Sequence, residues 1–196
     1  MKTAGEFPFG LVGRAMLESS ERWQAAWEFA AERHCQQSVP GTEIPYLRHL
    51  GAVTFEVLAA DRLEPLADLD LAVQCAILHD CIEDQGVSEA ELAQRFGPAV
   101  AAGVAALSKR SDLPKAAAMA DSLQRIRRQP AAVWCVKLAD RICNLNGAPA
   151  HWPADKVAAY RCEAEQILAE LGSAHRGLAA RLQRRIADYP APTPGR

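Results

Sequence analysis

Ala76-Ile77-Leu78-His79-Asp80-Cys81-Ile82-Glu83-Asp84 places four ionisable side chains at the end of an apolar run. From residue 69 onward the chain is almost wholly apolar until it reaches them. A helix that is hydrophobic on every side belongs in the middle of a domain. Read as one helix over residues 69–83, the segment sets His79 and Glu83 on one face. Asp80 and Asp84, also four apart, share the adjacent face. Polar groups in a buried helix are the informative ones. Imidazole beside carboxylate is a suitable donor set for Mn²⁺, Fe²⁺ or Zn²⁺.

The same interruption recurs in residues 131–145, within Val136-Lys137-Leu138-Ala139-Asp140-Arg141-Ile142-Cys143-Asn144. Asp140 and Asn144 share a face of this second buried helix. If the two helices pack together, Asp140 reaches a cation held by His79 and Asp80. His49, three residues into a helix over residues 46–60, is the candidate for the remaining ligand. Taken singly, His49 reads as a half-buried histidine, Asp140-Arg141 as a local charge pair and Asp84 as a helix-end carboxylate. Taken together they form a set, because buried unpaired carboxylates cost several kcal/mol each and call for a cation.

The rest of the chain fits an all-α, single-domain helical bundle with the metal site between buried helices. Its 196 residues suit one domain, expected over residues 1–189 with a disordered tail at 190–196. The spacing predicts further helices over residues 14–37, 153–171 and 173–189. Ser88-Glu89-Ala90-Glu91 reads as a capping box, and Pro98 as a first-turn proline. No Asn-Gly or Asp-Gly hairpin signal lies between alternating apolar and polar segments.

Net charge is −2 with both signs mixed, which argues against a nucleic-acid partner. The basic clusters Arg125/Arg127/Arg128 and Arg181/Arg184/Arg185 read as solvated helix faces. Six cysteines without C-x-x-C spacing read as small buried hydrophobes in a reducing compartment. No apolar run approaches the ~20 residues of a membrane span, and no secretory signal opens the chain. A cytoplasmic location is expected, with no membrane partner and with homodimer formation left open.

At this point the residues resemble the HD-domain superfamily, and more closely the small single-domain (p)ppGpp hydrolases of the RelA/SpoT family. The landmarks run in order: Pro45-Tyr46-Leu47-Arg48-His49 resembles its P-Y-x-x-H segment, and Leu78 to Asp84 its L-H-D-x-x-E-D motif. Phe96-Gly97 followed by Val100, Leu113-Pro114-Lys115, and Val136 to Leu145 resemble its F-G-x-x-V, L-P-K and V-K-L-A-D-x-x-x-N-L elements.

The resemblance implies Mn²⁺ held by His49, His79, Asp80 and Asp140. It implies that Glu83 and Asp84 handle the nucleophilic water and that Asn144 meets the ribose or its phosphate. Lys115, Lys156 and Tyr160 match positions that contact the substrate's phosphates and sugar. The implied reaction removes pyrophosphate from the 3′ position of guanosine tetra- or pentaphosphate, leaving GDP in the first case. Other expectations are an HD-domain phosphohydrolase acting on the 2′-phosphate of NADPH or on a nucleoside monophosphate, and a non-catalytic nucleotide-binding regulator. One departure stands out. The family carries an Arg-Lys pair for the guanine base before its P-Y-x-x-H segment, whereas residues 36–43 here hold no basic side chain.

Overall fold

The computed structural model describes residues 10–149 and 151–190, with the side chains of all these but 10–15, 115 and 116. Ten α-helices occur among the described residues, and the sole β-type pairing there is an isolated bridge between Ser38 and Pro45. The expected tail lies outside the described residues beyond Pro190.

Helix α3 (Leu69–Leu78) forms the axis of the bundle, and Leu71 through Leu78 are all buried. Asp68 caps it by accepting from the Leu71 amide at 2.9 Å. Around α3 pack α1 (Gly10–Arg33), α2 (Leu47–Leu63), α6 (Pro98–Leu107) and α8 (Ala131–Asn144). On α1, Ala26, Phe29, Ala30 and the loop residue His34 form the buried stripe, while Trp27 remains 37% exposed. Asp70 ties α3 back to α1, accepting from Trp23 Nε1 and Arg22 Nε at 2.9 Å each.

Gly103 sets how closely α6 approaches the axis. A Cβ there would stand 2.7 Å from Cys75 Sγ and 3.1 Å from Val133 Cγ2, so only glycine fits. Helices α5 (Glu89–Phe96), α7 (Lys115–Ile126), α9 (Ala154–Leu171) and α10 (Arg176–Asp188) complete the shell. Ser88 caps α5 by accepting from the Glu91 amide at 3.1 Å. The Glu91 carboxylate reaches Arg33, not back to the cap.

Three expectations are corrected. The helix expected over residues 69–83 is broken, ending at Leu78 and restarting as α4 (Cys81–Gln85), with Asp80 at the turn (φ −100°, ψ 0°). The last helix is capped by His175, which accepts from the Leu178 amide at 3.1 Å, after a 3₁₀ turn at Gly172–Ala174. Two cysteines, Cys35 and Cys162, are exposed.

Candidate active site

The break in the axial helix decides the site. In a continuous helix, side chains at i and i+1 diverge. The turn at Asp80 lets neighbours converge, bringing His79 Nε2 and Asp80 Oδ2 to 2.9 Å. The packing of α2 and α8 on α3 delivers the rest. His49 Nε2 stands 3.3 Å from His79 Nε2, and Asp140 Oδ1 stands 3.4 Å from His49 and 3.8 Å from His79. Asp80 Oδ2 lies 3.7 Å from His49 Nε2 and accepts from the Tyr46 hydroxyl at 2.6 Å.

This donor set fits a divalent cation. Metal–ligand bonds of about 2.1 Å at tetrahedral or octahedral angles put donors roughly 3–3.5 Å apart. His79 Nδ1 lies 2.8 Å from the Ala76 carbonyl, a contact that leaves Nε2 free to point into the cluster. His49, His79 and Asp140 each offer a ligand atom, all within 4.8 Å of one another.

The charges are strongly coupled. Burial works against a charged His79, but Asp80 and Asp140 outweigh it and lift the imidazolium to about 9. Burial likewise opposes ionised Asp80, and His79 outweighs that, holding the carboxyl at about 2. Asp140 is also held well below the carboxylate range: burial resists, and Lys137 and the histidines prevail. Burial and the neighbouring Asp80 raise the Tyr46 phenol above its usual value.

Asp140 pairs with Lys137 Nζ at 3.1 Å and accepts from Asn144 Nδ2 at 2.5 Å. Arg141 turns away from it, donating to Glu163 Oε2 at 3.1 Å and stacking over Tyr160, so the sequence-adjacent pair does not form.

Beside the cluster lies a small cavity of about 160 Å³, walled by His79, Asp80, Glu83, Asp84, Lys109 and Lys137 among others. Glu83 accepts from the Lys109 backbone amide at 2.7 Å, with Lys109 Nζ 4.0 Å away. Asp84 accepts from Gln37 Nε2 at 2.7 Å. Tyr46, Asp84 and Asn144 line both this cavity and a larger cleft of about 970 Å³.

The other expected substrate residues stand elsewhere. Lys156 lies over the Trp152 ring at 4.0 Å, and Tyr160 packs against Trp152 and Tyr189. Neither is on the wall of these two cavities. Lys115 opens α7, and its side chain lies outside the described residues.

Sequence reasoning missed the roles of Gln37, Lys109 and Lys137. Lys137 had a signal, being a cation three residues before Asp140 in a buried helix; Lys109 and Gln37 are loop residues and had none. Of the two arginine clusters read as solvated faces, Arg127, Arg128, Arg181 and Arg184 are exposed, but Arg125 and Arg185 are half-buried. Arg181 and Arg185 line the larger cleft. Arg125 bridges the Ser108 carbonyl (2.7 Å) and Asp121 (2.8 Å), tying α7 to the end of α6.

Comparisons with known proteins agree with this geometry. Guanosine-3′,5′-bis(diphosphate) 3′-pyrophosphohydrolase MESH1 of Danio rerio is 30% identical over 160 residues, covering 79% of this chain and 87% of that protein. The Homo sapiens MESH1 is 28% identical over 167 residues, covering 82% and 90%. A solved structure of a metazoan SpoT orthologue, described as hydrolysing ppGpp and acting in starvation responses, superimposes with a TM-score of 0.73. The match covers 93% of this chain and 97% of that one at 21% identity, which establishes a shared fold. The HD domain profile matches residues 26–178, a span that takes in every cluster residue, and the chain belongs to the HD-domain family.

Proposed function

We propose that this protein is a metal-dependent phosphohydrolase that removes pyrophosphate from the 3′ position of guanosine 3′,5′-bis(diphosphate), leaving GDP. The observation that carries this reading is the convergence of His49, His79, Asp80 and Asp140, from two helices and the turn that ends α3, beside a cavity lined by Glu83 and two lysines. The relatives that cover most of this chain carry that activity in their names.

His49, His79, Asp80 and Asp140 would hold the cation, Mn²⁺ in our reading. When bound, such a cation supplies Lewis-acid polarisation of a phosphoryl oxygen and a nucleophile at neutral pH. Glu83 takes the proton of the attacking water, and Asp84 orients that water from the opposite rim. The bond between the 3′ oxygen and phosphorus breaks. The water oxygen leaves with pyrophosphate, and the proton passes to the freed 3′ hydroxyl. Lys109 and Lys137, on the wall of the small cavity, stabilise the added negative charge. Asn144 holds Asp140 from one side and presents its edge to the sugar in the larger cleft. Lys115 remains in this reading as an outer contact to the phosphates, whereas Lys156 and Tyr160, off the walls of both cavities, take no part in it.

The test is a product assay with the Mn²⁺-loaded protein. Release of pyrophosphate and GDP from guanosine 3′,5′-bis(diphosphate) is the expected result. Orthophosphate from other nucleotides, with no pyrophosphate from this one, overturns the reading.

A further inference from the structure

The larger cleft carries a charge pattern that the metal site does not use. Arg48 on α2 and Arg181 and Arg185 on α10 line it. Two carboxylates also line it, Glu56 and Asp84. Glu56 is largely buried and is taken up by an ion pair with Arg181, and Asp84 is held by Gln37. The Arg48 guanidinium has no hydrogen bond or ion pair among the described residues. Arg185 makes one long contact, 3.5 Å to Asn146 Oδ1. Two guanidinium groups therefore face the concavity without a compensating anion.

Their convergence is built in. The Glu56–Arg181 pair clamps α2 to α10. Arg48 lies two helical turns before Glu56, and Arg185 lies one turn after Arg181. The clamp thus brings both free arginines to one cleft. Arg48 directly precedes the metal-cluster residue His49, so this charged wall begins where the cluster ends. The loop over residues 36–43 contributes no cation to the cleft. A planar guanidinium pairs bidentately with phosphate oxygens, and two of them suit a diphosphate.

We propose that Arg48 and Arg185 form an anion subsite for the 5′-diphosphate of the nucleotide while its 3′ end lies at the metal cluster. This rests on the nucleotide-hydrolase reading above. The cleft thereby selects substrates carrying a second phosphate-bearing arm, and the charge that selects them comes from α2 and α10.

The experiment titrates GDP and guanosine into the Mn²⁺-loaded wild type and the Arg48→Ala/Arg185→Ala double variant. It is paired with steady-state kinetics on guanosine 3′,5′-bis(diphosphate). Arg48 is exposed and Arg185 half-buried, and circular dichroism checks that the variant folds. GDP is expected to bind the wild type at least about tenfold more tightly than guanosine, and the double variant to lose that advantage with guanosine binding unchanged. KM rises about tenfold or more with kcat within about twofold, and Arg48→Lys/Arg185→Lys recovers part of the loss. GDP binding no tighter than guanosine, or an advantage that survives in the double variant, overturns the subsite. Turnover with an unmoved KM sinks the subsite and leaves the hydrolase reading standing. Arginine-dependent GDP binding without any turnover does the reverse.

Discussion

Gln37 Nε2 donates to Asp84 Oδ2 at 2.7 Å, joining a loop and a helix that stand 47 positions apart in the chain. The amide is itself held in place. Its Oε1 lies 2.5 Å from His34 Nδ1 and accepts from Gln85 Nε2 at 2.5 Å. His34 is buried and stacks on Tyr46, which binds Asp80. The loop expected to hold the base is thus occupied with aiming a carboxylate. Gln37→Ala should lower kcat by roughly ten- to a hundredfold, the worth of a hydrogen bond to a charged group, with metal content unchanged. Normal kcat in the variant, by single-turnover assay, would remove Gln37 from the machinery.

Asp80→Ala should lose metal and activity together, whereas Glu83→Ala should keep the metal and lose turnover. Metal analysis by mass spectrometry separates them, and full metal content in Asp80→Ala would contradict the ligand assignment. Chelation should also soften the fold, because the ligands bridge α2, α8 and the end of α3. At a metal concentration of about 100 times Kd the bound state gains about 2.7 kcal/mol. For a chain of this size that corresponds to a Tm higher by roughly 5–10 °C, read by thermal shift with and without EDTA.

Gly103→Ala should destabilise by about 1–3 kcal/mol through overpacking against Cys75 and Val133. Combining it with Cys75→Ala should cost less than the two single changes added together, because the new methyl then fills the space left by the sulfur. Chemical denaturation of the four proteins measures this coupling, and simple additivity would disprove it.

The cysteines should divide by exposure. Burial pushes the Cys75 and Cys81 thiols up to about 12, while Cys35 and Cys162 lie at the surface. Ellman's reagent at pH 8 should therefore find two fast thiols in the native protein and six after denaturation. Cys143 is half-buried with its thiol pushed up to about 12 and should follow more slowly, and a fast thiol mapped to Cys75 would show that the axial helix opens on the timescale of the assay.

The bundle and the meeting of polar side chains at its centre were legible because buried apolar helices make every polar interruption conspicuous. His79, Asp80 and Asp140 stood out on that ground, Asp140 joining the pair once helix packing was assumed, and His49 was a candidate that the family resemblance singled out. The break at Asp80 was not legible. No glycine or proline marks it, and the convergence of two adjacent side chains is a tertiary outcome. The cleft wall at Arg181 and Arg185 was not legible for a related reason. Helical periodicity shows that they lie on a polar face, but only the packing of α10 on α2 turns that face into a cleft wall. Lys109 reaches Glu83 through a backbone amide, which no side-chain pattern encodes.

The Glu56–Arg181 clamp separates two kinds of inheritance. The cation's donors hang on helices whose apolar packing is the core itself, so changing them threatens folding. The arginines beyond the clamp sit at helix ends, outside the apolar core, and can be exchanged at little structural cost. A lineage of such proteins can therefore drift from one phosphorylated metabolite to another at the rim while its hydrolytic centre stays as it was.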